Sequence, residues 1–171
     1  MTATRLDVFE RAIQKADGWV KDLESELGWD DRHQAYEALG VVLHVLRDRL
    51  PVSAAVNLGA QFPLILRGLY FQDWDVSNSP ERYRHREDFL AHVKAGLLQH
   101  RLDWVREEAL VEAVSWLLWD RLSAGELTAV CRALPASFRD YFEGSETPSD
   151  DEPPEPGRWL DESRSWEKFS D

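Results

Sequence analysis

Residues 35–51 read Ala-Tyr-Glu-Ala-Leu-Gly-Val-Val-Leu-His-Val-Leu-Arg-Asp-Arg-Leu-Pro, and this stretch decides the fold class of the chain. Its apolar positions recur at three- and four-residue steps, which is the spacing of one face of an amphipathic α-helix. Those positions are Ala35, Leu39, Val42, Val45 and Leu46. Pro51 cannot continue a helix interior but fits the first turn of a new helix, so the stretch predicts two consecutive helices.

The same helical spacing continues on both sides of this stretch. Upstream, the positions that form one apolar stripe are Phe9, Ile13, Ala16, Val20, Leu23 and Leu27. Gly28 is expected to end that helix, and Asp30 or Asp31 to cap the next one. Downstream, Pro63 precedes another apolar helical run, and no strand-like alternation exceeds four residues. The prediction is an all-α, compact helical bundle.

The second half of the chain repeats the first at a distance of 72 residues. Leu-Arg-Asp-Arg-Leu-Pro at 46–51 aligns without a gap with Leu-Trp-Asp-Arg-Leu-Ser at 118–123. Six residue pairs are identical over positions 46–72, where chance at ordinary composition gives about one or two. We therefore predict two pseudo-symmetric helical repeats, at about residues 5–75 and 81–144.

Upstream of that register, the two copies align only if a gap is introduced. A gap of eight residues matches Phe9 and Ile13 with Phe89 and Val93.

Residues 145–171 differ in composition from the duplicated domain, residues 1–144. The stretch 145–157 is rich in Pro, Asp and Glu and has no apolar residue to anchor it, so it is expected to be a flexible linker. With nine acids and three bases, this acidic C-terminal tail carries half of the chain's net charge of −12. Residues 158–169 then turn aromatic again.

Composition disfavours several classes of partner. With 32 Asp+Glu against 20 Lys+Arg, the chain lacks the surplus of bases that grips nucleic acid or an anionic membrane. Its longest apolar runs are far shorter than the roughly 20 residues of a membrane span. Cys131 is the only cysteine, so no disulfide forms within the chain. No secretory signal is recognisable, so a cytoplasmic location is expected.

Three stretches carry a family resemblance: residues 60–70, 84–90 and 122–127. They are similar to the bacterial DUF2267 family of uncharacterised proteins, and the resemblance extends over about residues 5–143. It implies a compact all-helical fold. It implies no catalytic residues, because the family has no assigned function.

A candidate metal site lies in the predicted helix that begins near Arg84. His85, Asp88 and His92 stand at i, i+3 and i+7, which stacks two imidazoles and a carboxylate suited to a divalent transition metal on one helix face. The alternative is structural, because acids are favoured in a first helical turn and His92 lies beside the buried face.

Two Asp-Arg combinations recur in the repeat register. We predict ion pairs Asp48–Arg67 and Asp120–Arg139, which would lock equivalent helix pairs in the two copies, since bidentate Arg-carboxylate pairs are geometrically specific. An alternative is a pair of pseudo-symmetric anion sites built from Arg49 and Arg121.

Function is predicted to reside in protein contacts, since no catalytic motif and no cofactor-binding motif occurs. The residues predicted to interact are Trp119, Trp159, Leu160, Trp166 and Phe169. Trp159, Trp166 and Phe169 stand at i, i+7 and i+10, which places them on one face of a short helix. The hypothesis is a non-enzymatic interaction module whose acidic, Trp-bearing tail binds a groove on its own body, on a second copy or on a protein partner. The alternative is a small-ligand or metal-binding protein that uses the cleft between the repeats.

Overall fold

The computed structural model describes residues 6–142, which form eight α-helices and one short 3-10 helix between α4 and α5. The α-helices are α1 Asp7–Leu27, α2 Arg32–Arg49, α3 Val52–Gln61, α4 Leu64–Phe71, α5 Arg86–Gln99, α6 Glu107–Arg121, α7 Ala124–Ala133 and α8 Ala136–Phe142. No strand occurs in this part of the chain. The all-α prediction is therefore confirmed.

The helix ends follow from local side chains. Gly28 ends α1 in the left-handed conformation, with φ 66°, which glycine adopts without steric cost. The Asp31 side chain accepts a hydrogen bond from the Gln34 amide at the start of α2. At the start of α7, Ser123 and Glu126 form a reciprocal capping box.

The core is organised around α2 and α6. Helix α2 contacts α1, α4, α5 and α6, while α6 contacts α1, α2, α5, α7 and α8. The close approach of α2 and α5 depends on Gly96, where an added Cβ would lie 2.7 Å from the Cγ1 atom of Val41. About half of the residues of each central helix are buried, nine of 18 in α2 and eight of 15 in α6.

The helix order repeats at the offset found in the sequence. Helices α2 and α6 end at Arg49 and Arg121, α3 and α7 span ten residues each, and α4 and α8 begin at Leu64 and Ala136. The contacts α2–α4 and α3–α4 recur as α6–α8 and α7–α8, and α1–α6 is matched by α2–α5. The rotation that would relate the two copies stays a prediction.

Burial does not support the gapped match upstream. Phe9 and Ile13 are exposed, whereas Phe89 and Val93 are fully buried. The buried positions of α1 that share the spacing of Phe89, Val93 and Leu97 are Trp19, Leu23 and Leu27. Helix α1 thus begins more than two turns ahead of the part that packs on the core.

Candidate functional site

The N-terminal end of α1 carries an apolar stripe that no described residue covers. Leu6, Phe9 and Ile13 expose 59%, 57% and 49% of their surface. The next two positions of the stripe, Ala16 and Val20, are buried. Residues at three- and four-residue steps share a helix face, so one stripe runs from the core out to the surface.

Helix α4 also carries exposed apolar side chains. Leu64 and Ile65 are 63% and 38% exposed, and α4 contacts α1 directly. Ile13 and Ile65 line one open cleft of about 280 Å³ together with Ala16, Val20 and Tyr36. We call Leu6, Phe9, Ile13, Leu64 and Ile65 the α1–α4 surface.

Charged side chains at the edge of the cleft are paired with one another. Arg32 donates from Nη1 to Asp17 Oδ1 at 3.0 Å and from Nε to Glu24 Oε2 at 3.0 Å. The hydrogen bond to Glu24 has the largest effect on the pKa of Arg32, which it raises, and the hydrogen bond to Asp17 raises it further. An apolar floor beside a rim of paired charges suits the docking of an apolar segment.

The predicted metal-binding residues line a second open cleft, formed by the segment before α5 and the first turns of that helix. His85, Asp88 and His92 line it together with Arg82, Tyr83 and Arg84. Its volume is about 370 Å³. The His92 ring stacks on the Tyr83 ring, with centroids 4.5 Å apart.

The metal-site prediction is nevertheless wrong. No group of three or more His, Cys, Asp or Glu side chains within residues 6–142 is arranged to hold a metal ion. Both ring nitrogens of His92 already have partners, the Asp88 carbonyl at 2.6 Å and Glu81 Oε2 at 3.2 Å. His85 is the extended residue before α5, so helical spacing does not place it above Asp88.

The predicted Asp48–Arg67 ion pair is also not formed. Asp48 accepts a hydrogen bond from Arg47 Nε at 2.7 Å. Arg67 Nη2 instead donates to the carbonyls of Ala60 and Phe62, at 3.0 and 3.2 Å. The last carbonyls of a helix lack partners within the helix, and Arg67 supplies donors at the end of α3.

The second copy departs from the prediction in the same way. Arg139 Nε donates to the Cys131 carbonyl near the end of α7, at 3.1 Å. The carboxylate of Asp120 lies 3.5 Å from Arg121 Nε. The two recurring arginines therefore have equivalent roles as donors to helix ends, and the predicted carboxylate partners were wrong.

Trp119 is part of the fold rather than a free surface anchor. It is half-buried, packs against the core and donates from Nε1 to the Phe142 carbonyl at 2.7 Å. The predicted tail positions Trp159, Leu160, Trp166 and Phe169, and the linker 145–157, lie outside the described residues.

The α1–α4 surface was missed from sequence because Phe9 and Ile13 were assigned to one apolar stripe together with the core positions Ala16, Val20, Leu23 and Leu27. One signal could have indicated it. Leu64, Ile65 and Leu66 are consecutive, and three consecutive helical residues cannot all point into one core. Of these three, Leu66 is fully buried.

A family model described as an uncharacterized conserved protein, DUF2267, matches residues 16–141. The chain belongs to the DUF2267 family. The family match begins at Ala16, so the uncovered turns of α1 precede it, and the acidic tail follows it. The search of curated proteins found no match.

Within the part of this DUF2267 chain that the structure describes, no helix combines the length and apolar character that membrane crossing requires. The longest described helix, α1, has 21 residues, and charged residues recur along it.

Proposed function

We propose that this DUF2267 chain is a non-enzymatic, cytoplasmic interaction module that binds a protein partner through the α1–α4 surface. The observation that carries the proposal is the exposure of five large apolar side chains on two contacting helices. Contiguous exposed apolar area on a soluble protein is typical of a binding surface.

The shape of the surface favours a partner segment that lies along a groove. Ile13 and Ile65 face the same cleft from α1 and α4, so a helix or extended peptide could contact both. Burying each of these side chains contributes about 1.5–3 kcal/mol. The paired charges of Arg32, Asp17 and Glu24 would remain at the rim, where they need not be desolvated.

A second candidate function uses the cleft before α5. The arginines Arg82 and Arg84 and the imidazole of His85 line this open cleft, and such groups favour a small anionic ligand. We rank this function second because Asp88 lines the same cleft and offsets part of the positive charge.

Site-specific cross-linking tests the first proposal. A photoreactive phenylalanine analogue is placed at Phe9, at Leu64 or, as a control, at Leu98, which is also exposed but lies on α5. We expect Phe9 and Leu64 to cross-link the same protein and Leu98 not to do so. The purified pair should then bind, and Ile65→Asp should weaken that binding at least about tenfold, the effect of about 1.4 kcal/mol.

Two outcomes would count against the interaction module. One is cross-linking from all three positions to unrelated proteins, which would indicate non-specific stickiness. The other is binding by the purified partner that Ile65→Asp leaves unchanged, which would place the interface elsewhere.

A further inference from the structure

We infer that residues 158–169 of this chain dock on its own α1–α4 surface and thereby cover the site at which the partner binds. This inference rests on the surface identified for the proposed function, although it does not require that an external partner exist. The occupant is the aromatic part of the tail, with Trp159, Trp166 and Phe169 as its contacts.

Apolar complementarity is the first argument. Beyond the last described residue, large apolar side chains are concentrated in residues 158–169, since the linker 145–157 has none. Trp159, Trp166 and Phe169 are separated by seven and three residues, a spacing that places them on one side of a helix. The α1–α4 surface offers the matching apolar area.

The length of the chain permits the contact. Helix α8 ends at Phe142, and fifteen residues lead from Gly144 to Trp159. A Pro-rich chain that extends about 3.1 Å per residue spans more than about 40 Å. A folded body of this size has a radius of gyration of about 14 Å, so the tail can reach the far side of its own domain.

The docking segment and the linker differ in net charge. Residues 145–157 contain five acids and no base, whereas residues 158–169 contain three acids and three bases. Residues 1–144 carry a net charge of −6, half of the chain's −12. The acidic linker is therefore repelled by the body as a whole, while the neutral aromatic segment is not.

A second copy of the body fits the surface less well. Glu10 lies on one flank of the apolar stripe of α1 and is exposed. When two copies of α1 pack antiparallel about a twofold axis near this residue, its carboxylate opposes its own copy. The neutral tail segment avoids this repulsion.

The two isoleucines of the chain, Ile13 and Ile65, make the test specific because both lie on the α1–α4 surface. Full-length protein that is isotope-labelled only at the isoleucine δ1 methyl groups gives two methyl resonances in an NMR spectrum. The test variant replaces Trp159, Trp166 and Phe169 by alanine. The matched control variant carries Asp150→Asn, Asp151→Asn and Glu152→Gln in the linker.

If the aromatic segment docks, removing its rings shifts both methyl resonances by more than their line width, and the control variant leaves them in place. The shifts are then independent of protein concentration, because the contact is within one chain. Unchanged methyl resonances in the alanine variant would overturn the inference. Shifts that appear only at high concentration would overturn it too, because they would indicate docking between copies.

The proposed function and this inference can fail separately. Suppose that a partner cross-links to Phe9 and that the alanine variant leaves the methyl resonances unchanged. This result would support the interaction module and exclude the docked tail. Tail-dependent methyl shifts without any cross-linked partner would support the docked tail alone. When both hold, the alanine variant should bind the purified partner more tightly than the full wild-type chain, since no segment has to be displaced.

Discussion

Arg47 and Trp119, which stand 72 residues apart, donate hydrogen bonds to two backbone carbonyls that are also 72 residues apart. Arg47 Nη1 lies 2.6 Å from the Tyr70 carbonyl, and Trp119 Nε1 lies 2.7 Å from the Phe142 carbonyl. The Arg47 guanidinium thus links the end of α2 to the end of α4. The Trp119 indole links the end of α6 to the end of α8.

Arg47 needs its hydrogen bonds more than Trp119 does, because it is a charged residue that is only 3% exposed. It also donates to the Gln72 carbonyl at 2.9 Å and to Asp48 Oδ1 at 2.7 Å. A buried guanidinium is tolerated only when its donors are satisfied. Replacing it leaves the carbonyls of Tyr70 and Gln72 without this donor.

We predict that Arg47→Met lowers the free energy of unfolding by about 3 kcal/mol, the effect of losing one partner of a buried charged network. Urea denaturation measures this change. The matched control, Arg82→Met, removes an exposed arginine and should change the unfolding free energy by less than about 0.5 kcal/mol. Equal losses in the two variants would contradict the assigned role of Arg47.

The arginines at the ends of α3 and α7 should have similar effects on stability. We predict that Arg67→Met and Arg139→Met each cost about 1 kcal/mol, because each removes a hydrogen bond to a helix-end carbonyl. Asp120→Asn should cost less than that, because the exposed Asp120 carboxylate lies near Arg121 rather than Arg139. If Asp120→Asn destabilised the protein as much as Arg139→Met, the ion-pair interpretation would be revived. Urea denaturation of the three variants decides between the two.

Replacing glycine by alanine should have opposite effects on stability at Gly96 and at Gly68. At Gly96, the added Cβ meets the stiff Val41 side chain at 2.7 Å, so Gly96→Ala should destabilise the protein by about 1–3 kcal/mol. At Gly68 no atom lies within 4 Å of an added Cβ, so Gly68→Ala should stabilise α4 by up to about 1 kcal/mol. Thermal unfolding of both variants checks the signs. Because the two side chains share one contact, the loss in the double variant Gly96→Ala, Val41→Ala should be smaller than the sum of the two single losses.

Stability should fall in mild acid because of His44. Burial lowers the pKa of His44, and this effect exceeds the opposing hydrogen bond with the Leu69 carbonyl. Below about pH 6.5 the unfolded chain binds a proton at this position that the folded protein resists, so the unfolding free energy decreases as the pH falls from there toward the folded pKa.

His44→Gln removes that titration while its amide can still donate to the Leu69 carbonyl. We expect the variant to lose less stability than the wild type between neutral pH and about pH 5. Urea denaturation across this range measures the difference. If both proteins lost the same free energy, the acid sensitivity would have to come from other groups.

Local features of this protein could be predicted because they depend on near neighbours. The stop at Gly28, the cap at Asp31 and the prolines ahead of α3 and α4 act through residues within one turn. The 72-residue offset found in the sequence also separates the ends of α2 and α6 and the starts of α4 and α8 in the structure.

The sequence by itself determined that this chain is all-α and where most of its helices begin and end, because helical periodicity and capping are short-range. Only the tertiary structure decided which apolar faces are covered: Ile13 and Val20 share one stripe, yet Val20 is buried and Ile13 is not. The tertiary structure also decided that Arg67 binds carbonyls rather than Asp48. Periodicity defines a helix face, but the neighbour that meets this face, and the acceptor within reach of a long side chain, depend on how distant segments pack.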